Sequence, residues 1–131
     1  MSRLFYLLVL IRNSGDTILT ILVDGQSRLS CLMLAAQLQG RRILTLEGLS
    51  TSENLHPLQE AFVRHGAVQC GYCTPGMVLA ACDLLQRHPH PDRQEIRAGL
   101  AGNICRCTGY QKIVDAVDAA CTTEKDSGRG Y

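Results

Sequence analysis

The apolar positions of the first fifty residues recur at the short spacing of β-strands. Thr17–Val23 (TILTILV) is rich in β-branched residues and ends at an Asp-Gly dipeptide, which is typical of a hairpin turn. We therefore expect a strand, a turn and a short return strand over Gln26–Ser30. Arg42–Glu47 alternates apolar and polar side chains and predicts another strand. The apolar, alanine-containing Leu32–Leu38 predicts a short helix between them.

From residue 55 onward the apolar spacing changes to the three- and four-residue steps of amphipathic helices. Pro57 suits the first position of a helix, and Gly66 suits its end. Thr74 is followed by proline, and Asp92 has a glutamate three residues later, so each is expected to begin a helix. Thr108 is the expected cap of a fourth helix. The sequence thus predicts four helices in this half of the chain.

The change of spacing divides the chain into two folded parts. Residues 1–50 predict a β-rich domain, residues 55–121 a helical domain, and the small, polar residues 122–131 a disordered tail. The predicted fold class is therefore α+β. The apolar run Leu4–Ile11 is far shorter than the roughly 20 residues that span a bilayer, so we expect a buried strand and no membrane span.

Composition and charge narrow the classes of function. The 131 residues carry a formal net charge of +1, with 46% hydrophobic and 19% charged residues, as in folded globular proteins. No basic surplus indicates a nucleic-acid partner, and we expect none. Seven cysteines are an odd number, which argues against a closed set of disulfides. Four of them lie in two tight pairs, which favours metal ligation in a reducing compartment over disulfides. We therefore expect the protein in the cytoplasm and not in the periplasm.

These two cysteine pairs are the strongest chemical signal. Cys70 and Cys73 are separated by two residues, and Cys105 and Cys107 by one, with thirty-one residues between the pairs. Each pair lies in a glycine-containing turn before a predicted helix, where unpaired N–H groups and the helix dipole stabilise thiolates. Spacing alone fits tetrahedral zinc slightly better than an iron–sulfur cluster, and both readings stay open on this ground.

The remaining cysteines and histidines of the second half predict structural roles. Cys82 falls inside a predicted helix and Cys121 at the end of another, so we expect both in the core. His56 precedes the proline that begins a helix, and the other histidines lie near helix ends or in a proline-rich turn. Capping or surface positions are therefore expected for the histidines, and no acid–base set is predicted.

The residues around the cysteine pairs resemble a known family. Gln69–Met77 (QCGYCTPGM), Gly102–Tyr110 (GNICRCTGY) and Leu55–Phe62 (LHPLQEAF) are similar to the small iron–sulfur subunit of the molybdenum hydroxylases. That family includes xanthine dehydrogenase, aldehyde oxidoreductase and aerobic carbon monoxide dehydrogenase. The resemblance implies a β-grasp, plant-ferredoxin-like N-terminal domain and a four-helix domain. It also implies that the helical domain holds a [2Fe–2S] cluster on Cys70, Cys73, Cys105 and Cys107.

The resemblance also implies partners and a role. A large subunit would carry molybdopterin and a medium subunit FAD, in a heterotrimer that can dimerise. Gln69 and Cys107 would lie beside the pterin. The chain would be the non-catalytic electron-transfer subunit of an oxidoreductase and would take electrons from molybdenum. The alternative is a structural or assembly module of such a complex, with zinc or no metal bound.

The N-terminal half departs from the pattern of the family. Members bind a plant-type cluster through C-x4-C-x2-C and a fourth cysteine twelve residues later. Cys31 fits the fourth position, but the other three places hold Leu19, Asp16 and Ile11. Of these, only Asp16 has an oxygen that can ligate iron. We therefore expect one cluster in this chain, a truncated or degenerate N-terminal domain, and Cys31 as the orphan ligand of a lost cluster.

Overall fold

The computed structural model describes residues 20–50 and 54–123, and these form a small sheet followed by helices. The apolar run Leu4–Ile11 and the positions Asp16 and Leu19 lie outside the described residues. The strands are β1 (Thr20–Val23), β2 (Gln26–Leu29) and β3 (Ile43–Leu44), and the helices are α1 (Leu46–Leu49), α2 (Pro57–Arg64), α3 (Thr74–Arg87), α4 (Arg93–Leu100) and α5 (Gln111–Thr123).

The hairpin predicted from the Asp-Gly dipeptide is confirmed. Asp24 and Gly25 have φ angles of 51° and 84°, the two left-handed residues of a tight turn whose twist matches the flanking strands. β1 pairs antiparallel with β2 on one side and with β3 on the other, so the sheet order is β2-β1-β3. β1 is therefore the central strand, and its residues are buried.

Two predictions for the N-terminal half are wrong in detail. The strand expected over Arg42–Glu47 is only Ile43–Leu44, because the chain turns into the short helix α1 after Thr45. The helix expected over Leu32–Leu38 is replaced by two 3-10 turns, Ser30–Leu32 and Ala35–Leu38. Two extended residues separate the turns, so no continuous helical hydrogen-bond ladder can form between them.

Side chains cap two of the helices as their sequences predict. His56 Nδ1 accepts a hydrogen bond from the backbone N–H of Leu58 at 3.2 Å, which satisfies a free donor at the start of α2. Gly66, with φ of 61°, follows the end of α2 in the left-handed conformation. Asp92 Oδ1 accepts from the N–H of Glu95 at 2.8 Å, and the Glu95 carboxylate accepts from the Asp92 N–H at 2.8 Å. This reciprocal pair is the predicted capping box of α4.

The predicted caps of α3 and α5 are wrong. Cys73 occupies the cap position of α3, and Thr74 is its first helical residue. Thr108 lies three residues before α5, because Tyr110 has a φ of 67° and a helix cannot continue through that conformation. Thr108 therefore belongs to the turn that carries Cys105 and Cys107, whereas Thr74 lies one residue inside its helix. α5 extends to Thr123, two residues into the segment predicted as a tail.

Helix α3 is the centre of the core. Ten consecutive residues from Gly76 to Leu85 are buried, since helices and the sheet pack around it on several sides. Leu22 of β1 belongs to the same apolar cluster as Phe62 of α2 and residues of α4 and α5. The predicted core cysteines Cys82 and Cys121 are buried there. None of the helices within the described ranges is long and apolar enough to cross a membrane.

A buried carboxylate ties the hairpin to α3. Asp83 accepts hydrogen bonds from the backbone N–H of Ser27 at 3.0 Å and from its hydroxyl at 2.6 Å. Arg87, one turn further along α3, donates to the same carboxylate at 2.9 Å. Burial alone would raise the pKa of Asp83, but the hydrogen bonds from Arg87 and Ser27 outweigh it and hold the pKa below its ordinary value. The carboxylate is therefore charged at neutral pH.

A second contact joins the start of β1 to the start of α3. Thr20 Oγ1 donates to Asn103 Oδ1 at 3.0 Å. Both side chains press against Gly76, where a Cβ atom would lie 2.6 Å from the Asn103 oxygen and 3.2 Å from that of Thr20. Only glycine leaves room for this approach. The sheet is thus fixed against the helix whose first turn carries Cys73.

Candidate metal centre

The first cysteine turn connects α2 to α3. Gly71 has a φ of 85°, which a residue with a Cβ rarely adopts. The backbone N–H of Thr74 donates to the carbonyl of Gly71 at 3.2 Å and closes the turn. Cys70 and Cys73 flank Gly71, and Cys73 then begins α3. The local sequence therefore holds both thiols at the amino end of the buried helix.

The second cysteine turn precedes α5 and is braced by side chains. The backbone N–H of Cys105 donates to the hydroxyl of Tyr110 at 2.8 Å. The N–H of Thr108 donates to Cys105 Sγ at 3.4 Å, and the Thr108 hydroxyl lies 3.0 Å from the same sulfur. The N–H of Tyr110 in turn donates to Thr108 Oγ1 at 3.2 Å. These contacts fix the position of Cys105 from three directions.

The structure brings all four predicted cysteines to one place, in pairs that cross between the two turns. The Cys107 thiol donates to Cys70 Sγ at 3.5 Å. Cys73 and Cys105 lie close enough for Cys105 to raise the pKa of Cys73 and for Cys73 to lower that of Cys105, and the nearby Cys70 also raises the pKa of Cys73. Across residues 20–50 and 54–123, no three His, Cys, Asp or Glu side chains form a group that could hold a single metal ion. The donor set is thus two neighbouring pairs of thiols.

The four thiols differ in exposure and acidity. Cys70 and Cys107 are exposed, Cys73 is half-buried and Cys105 is buried. Burial, with the neighbouring Cys105, raises the pKa of Cys73 to about 12. Burial also opposes ionisation of Cys105, but hydrogen bonds from the hydroxyl and N–H of Thr108 lower its pKa to about 7. The lowered pKa favours the thiolate form of Cys105, the form that binds metal.

The donor set fits a [2Fe–2S] cluster. Such a cluster takes four cysteine thiolates, two on each iron, and the two crossed pairs supply that number in that grouping. The hydroxyl of Thr74, directly after Cys73, is buried and has no hydrogen-bond partner among the described residues. A buried hydroxyl without a partner is costly, and a sulfide-bearing group beside Cys73 offers it an acceptor.

Other predicted site residues lie at the surface. Gln69 is exposed next to Cys70, and Cys107 is exposed in the second turn. Large apolar side chains close to them in the sequence are exposed: Ile104 is 83% exposed, and Tyr72 and Val68 are exposed as well. Cys31 lies exposed in the 3-10 turn Ser30–Leu32 and takes part in neither thiol pair.

Sequence reasoning missed the roles of Thr108 and Tyr110. Both stand within five residues of Cys105, but Thr108 was assigned to a helix cap. The available signal was the Thr-Gly-Tyr segment that follows Cys107, in which glycine favours a left-handed turn. Such a turn can fold the chain back on itself. Thr108 and Tyr110, which follow Cys107, then reach back to Cys105.

The family model described as "[2Fe-2S] binding domain" matches residues 45–118. The chain is 56% identical over 98 residues to the nicotine 6-hydroxylase small subunit of Paenarthrobacter nicotinovorans, covering 75% of this chain and 59% of that protein. It is 51% identical over 100 residues to the xanthine dehydrogenase iron-sulfur-binding subunit of Escherichia coli O157:H7, covering 75% and 63%.

Solved structures show the same fold. Quinoline 2-oxidoreductase from Pseudomonas putida 86 matches with a TM-score of 0.76 and 47% identity, over 82% of this chain and 68% of that one. Aldehyde oxidoreductase from Desulfovibrio gigas matches with a TM-score of 0.81 and 36% identity, over 89% of this chain and 15% of that one. The mixed fold of helices and a small sheet is thus similar to that of these oxidoreductases.

The fold and the four thiols define an iron–sulfur protein, and the chain belongs to the [2Fe–2S]-binding domain family. Within it, the predicted resemblance to small iron–sulfur subunits of the xanthine dehydrogenase and aldehyde oxidoreductase group is confirmed. The chain spans about three fifths of the length of the curated subunits that it matches, 59% and 63% for the two named.

Proposed function

We propose that this chain is the non-catalytic electron-transfer subunit of a molybdopterin-dependent hydroxylase or dehydrogenase. The observation that carries the proposal is the crossed pairing, in which Cys70 with Cys107 and Cys73 with Cys105 offer two thiols to each of two irons. A bound [2Fe–2S] cluster supplies one-electron transfer. The chain itself supplies the thiolates, the hydrogen bonds at Cys105 and a surface at which two of the ligands are exposed.

The partners follow from the family resemblance and from the names of the relatives, which are subunits. A large molybdopterin subunit and a medium FAD subunit would complete a heterotrimer, in the cytoplasm. Gln69 and Cys107 would face the pterin, and the exposed side chains of Ile104, Tyr72 and Val68 are of the apolar kind that a partner covers. The N-terminal sheet would be the remaining part of a β-grasp domain, and residues 55–121 a four-helix domain.

The chain would hold one cluster. Cys31 is exposed and stands apart from both thiol pairs, as expected of an orphan ligand. Electron transfer through this chain would then use the Cys70, Cys73, Cys105 and Cys107 site alone.

Metal and sulfide analysis of the purified chain tests the proposal. We expect about two irons and two acid-labile sulfides per chain, with an EPR signal after reduction. Cys70→Ser should lose most of this iron, because it removes one of the four ligands. Cys31→Ser and Cys82→Ala are matched controls, one exposed and one buried, and both should keep two irons.

The opposite outcome has a clear signature. Zinc without sulfide, or a colourless protein that still co-purifies with a large subunit, would support the structural or assembly module instead. Loss of iron in Cys31→Ser would show that the cluster is held elsewhere. Purification of the wild type with the proteins encoded beside it would test the partners separately.

A further inference from the structure

Thr108 directs two hydrogen-bond donors at one ligand sulfur. Its backbone N–H donates to Cys105 Sγ at 3.4 Å, and its hydroxyl lies 3.0 Å from the same atom. When Cys105 is a thiol, either its S–H or the Thr108 hydroxyl can be the donor in the 3.0 Å contact. The N–H of Tyr110 donates to Thr108 Oγ1 at 3.2 Å, so the hydroxyl oxygen already accepts a hydrogen bond. Its own hydrogen is then directed to another acceptor, and the nearest is the sulfur.

Metal binding removes the ambiguity about the donor. A ligating cysteine is a thiolate, which has no hydrogen and can only accept. The Thr108 hydroxyl must therefore donate to Cys105 in the metal-bound protein. Cys105 is also the one buried cysteine of the four, so water does not compete for its sulfur as it does at Cys70 and Cys107. A hydrogen bond in such a place is stronger than one in water.

Hydrogen bonds to cysteine sulfur set the reduction potential of iron–sulfur centres. Reduction of a cluster held by these four cysteines would add one electron and so increase the negative charge near the Cys105 sulfur. A donor aimed at the sulfur stabilises the reduced state more than the oxidised state. Its loss should therefore make the potential more negative.

We propose that the Thr108 hydroxyl is a positioning group that raises the reduction potential of the cluster through its hydrogen bond to Cys105. The proposal rests on the proposed function, since it requires a [2Fe–2S] cluster on the four cysteines. It assigns to Thr108 a role in tuning electron transfer that is separate from iron binding, because the hydroxyl is not one of the four proposed ligands.

The test compares Thr108→Val with Thr108→Ser in the iron-loaded chain. Valine keeps the shape and the backbone N–H but removes the hydroxyl, whereas serine keeps the hydroxyl. EPR-monitored redox titration should show the ratio of reduced to oxidised cluster falling about fivefold in Thr108→Val at a fixed solution potential. That factor corresponds to about 40 mV for a one-electron couple, at 59 mV per tenfold. Thr108→Ser should titrate close to the wild type.

Iron and sulfide content, measured on the same samples, separates the possible outcomes. An unchanged potential in Thr108→Val with two irons per chain would overturn the proposal and leave the proposed function standing. Should Thr108→Val not retain iron, Thr108→Ala takes its place with the same expected shift. Iron loss in both variants, with Thr108→Ser intact, would mean that the hydroxyl serves binding and would refute the tuning role. A wild type without iron would instead refute the proposed function.

Discussion

Replacement of Asp83 by asparagine tests how the sheet is held against α3. Asparagine has the shape of aspartate but no charge, and its side chain has one acceptor oxygen instead of two. Asp83 now accepts two hydrogen bonds from Ser27 and two from Arg87, at 2.9 and 3.5 Å. Both Ser27 bonds go to the same oxygen of the carboxylate, so the variant can keep them as weaker, neutral hydrogen bonds, but it loses its attraction for the guanidinium. The hairpin should therefore open more often.

The size of the effect follows from burial. The Asp83 side chain is 8% exposed, so its hydrogen bonds from Ser27 are little screened by water. Hydrogen bonds to a charged group contribute about 1.5–3 kcal/mol each, and the amide retains part of this. Arg87 is 54% exposed, so its share is small. A local cost of about 2 kcal/mol is expected, which is roughly a 30-fold increase in hairpin opening.

Hydrogen–deuterium exchange of peptides from residues 20–29 measures this opening directly, and it does not require the whole protein to unfold in two states. Glu60→Gln is the matched control, because Glu60 pairs with Arg64 one turn along α2 in the same spacing as Asp83 with Arg87. Glu60 is 47% exposed, so its loss should cost less than about 0.5 kcal/mol. If exchange of the hairpin is no faster in Asp83→Asn than in Glu60→Gln, burial is not what makes the Asp83 contact strong.

Three further predictions concern stability. Folding lowers the pKa of Asp83, so the contribution of its carboxylate to stability is complete above about pH 4 and is lost as the pH falls through the lower folded pKa. Hydrogen exchange of the hairpin, corrected for intrinsic rates, should therefore rise only below about pH 4. The Asp83→Asn variant should not show this rise. Gly76→Ala should lower the free energy of unfolding in urea by about 1–3 kcal/mol, since its Cβ would lie 2.6 Å from Asn103 Oδ1. The control Gly102→Ala, whose Cβ would have nothing within 4 Å, should lower it by less than about 0.5 kcal/mol. Equal losses of stability in the two variants would refute the steric reason. His56→Ala should cost about 0.5–2 kcal/mol through loss of the α2 cap, with His56→Asn restoring part of it, as thermal unfolding would reveal.

Features decided by neighbouring residues could be predicted from the sequence. The Asp24-Gly25 turn and the Asp92–Glu95 capping box each depend on three or four consecutive residues, and both are present. The four cysteines could be placed together because two cysteine pairs, each in a tight turn, precede helices and the surrounding residues resemble a known family. Local chemistry alone did not separate zinc from iron.

Features that depend on distant residues could not be predicted. Asp83 meets Ser27 across 56 positions of sequence, and no pattern along α3 indicates that partner. The crossing of the thiol pairs depends on how the two turns approach each other in space. Arg42–Glu47 has the alternation of a strand, but its pairing with β1 ends at Leu44, and the residues beyond it turn into α1.

Two places of close approach between the hairpin and α3, one at Gly76 and one at Gly25, make the lengths of the strand and the helix interdependent. The start of β1 is held beside Gly76 by Asn103, and a Cβ at Gly25 would lie 2.9 Å from Gln86 Oε1. The ten residue steps from Gly76 to Gln86 along the helix rise about 15 Å, and the five from Thr20 to Gly25 along the strand rise about 16 Å. The strand and the helix therefore have nearly the same length between the two places of close approach.

An inserted residue within that part of α3 would turn everything after it by about 100° and carry Gln86 away from the hairpin. Over evolutionary time, residues should therefore rarely be gained or lost within this part of α3, so that the cysteine turns keep their place relative to the sheet.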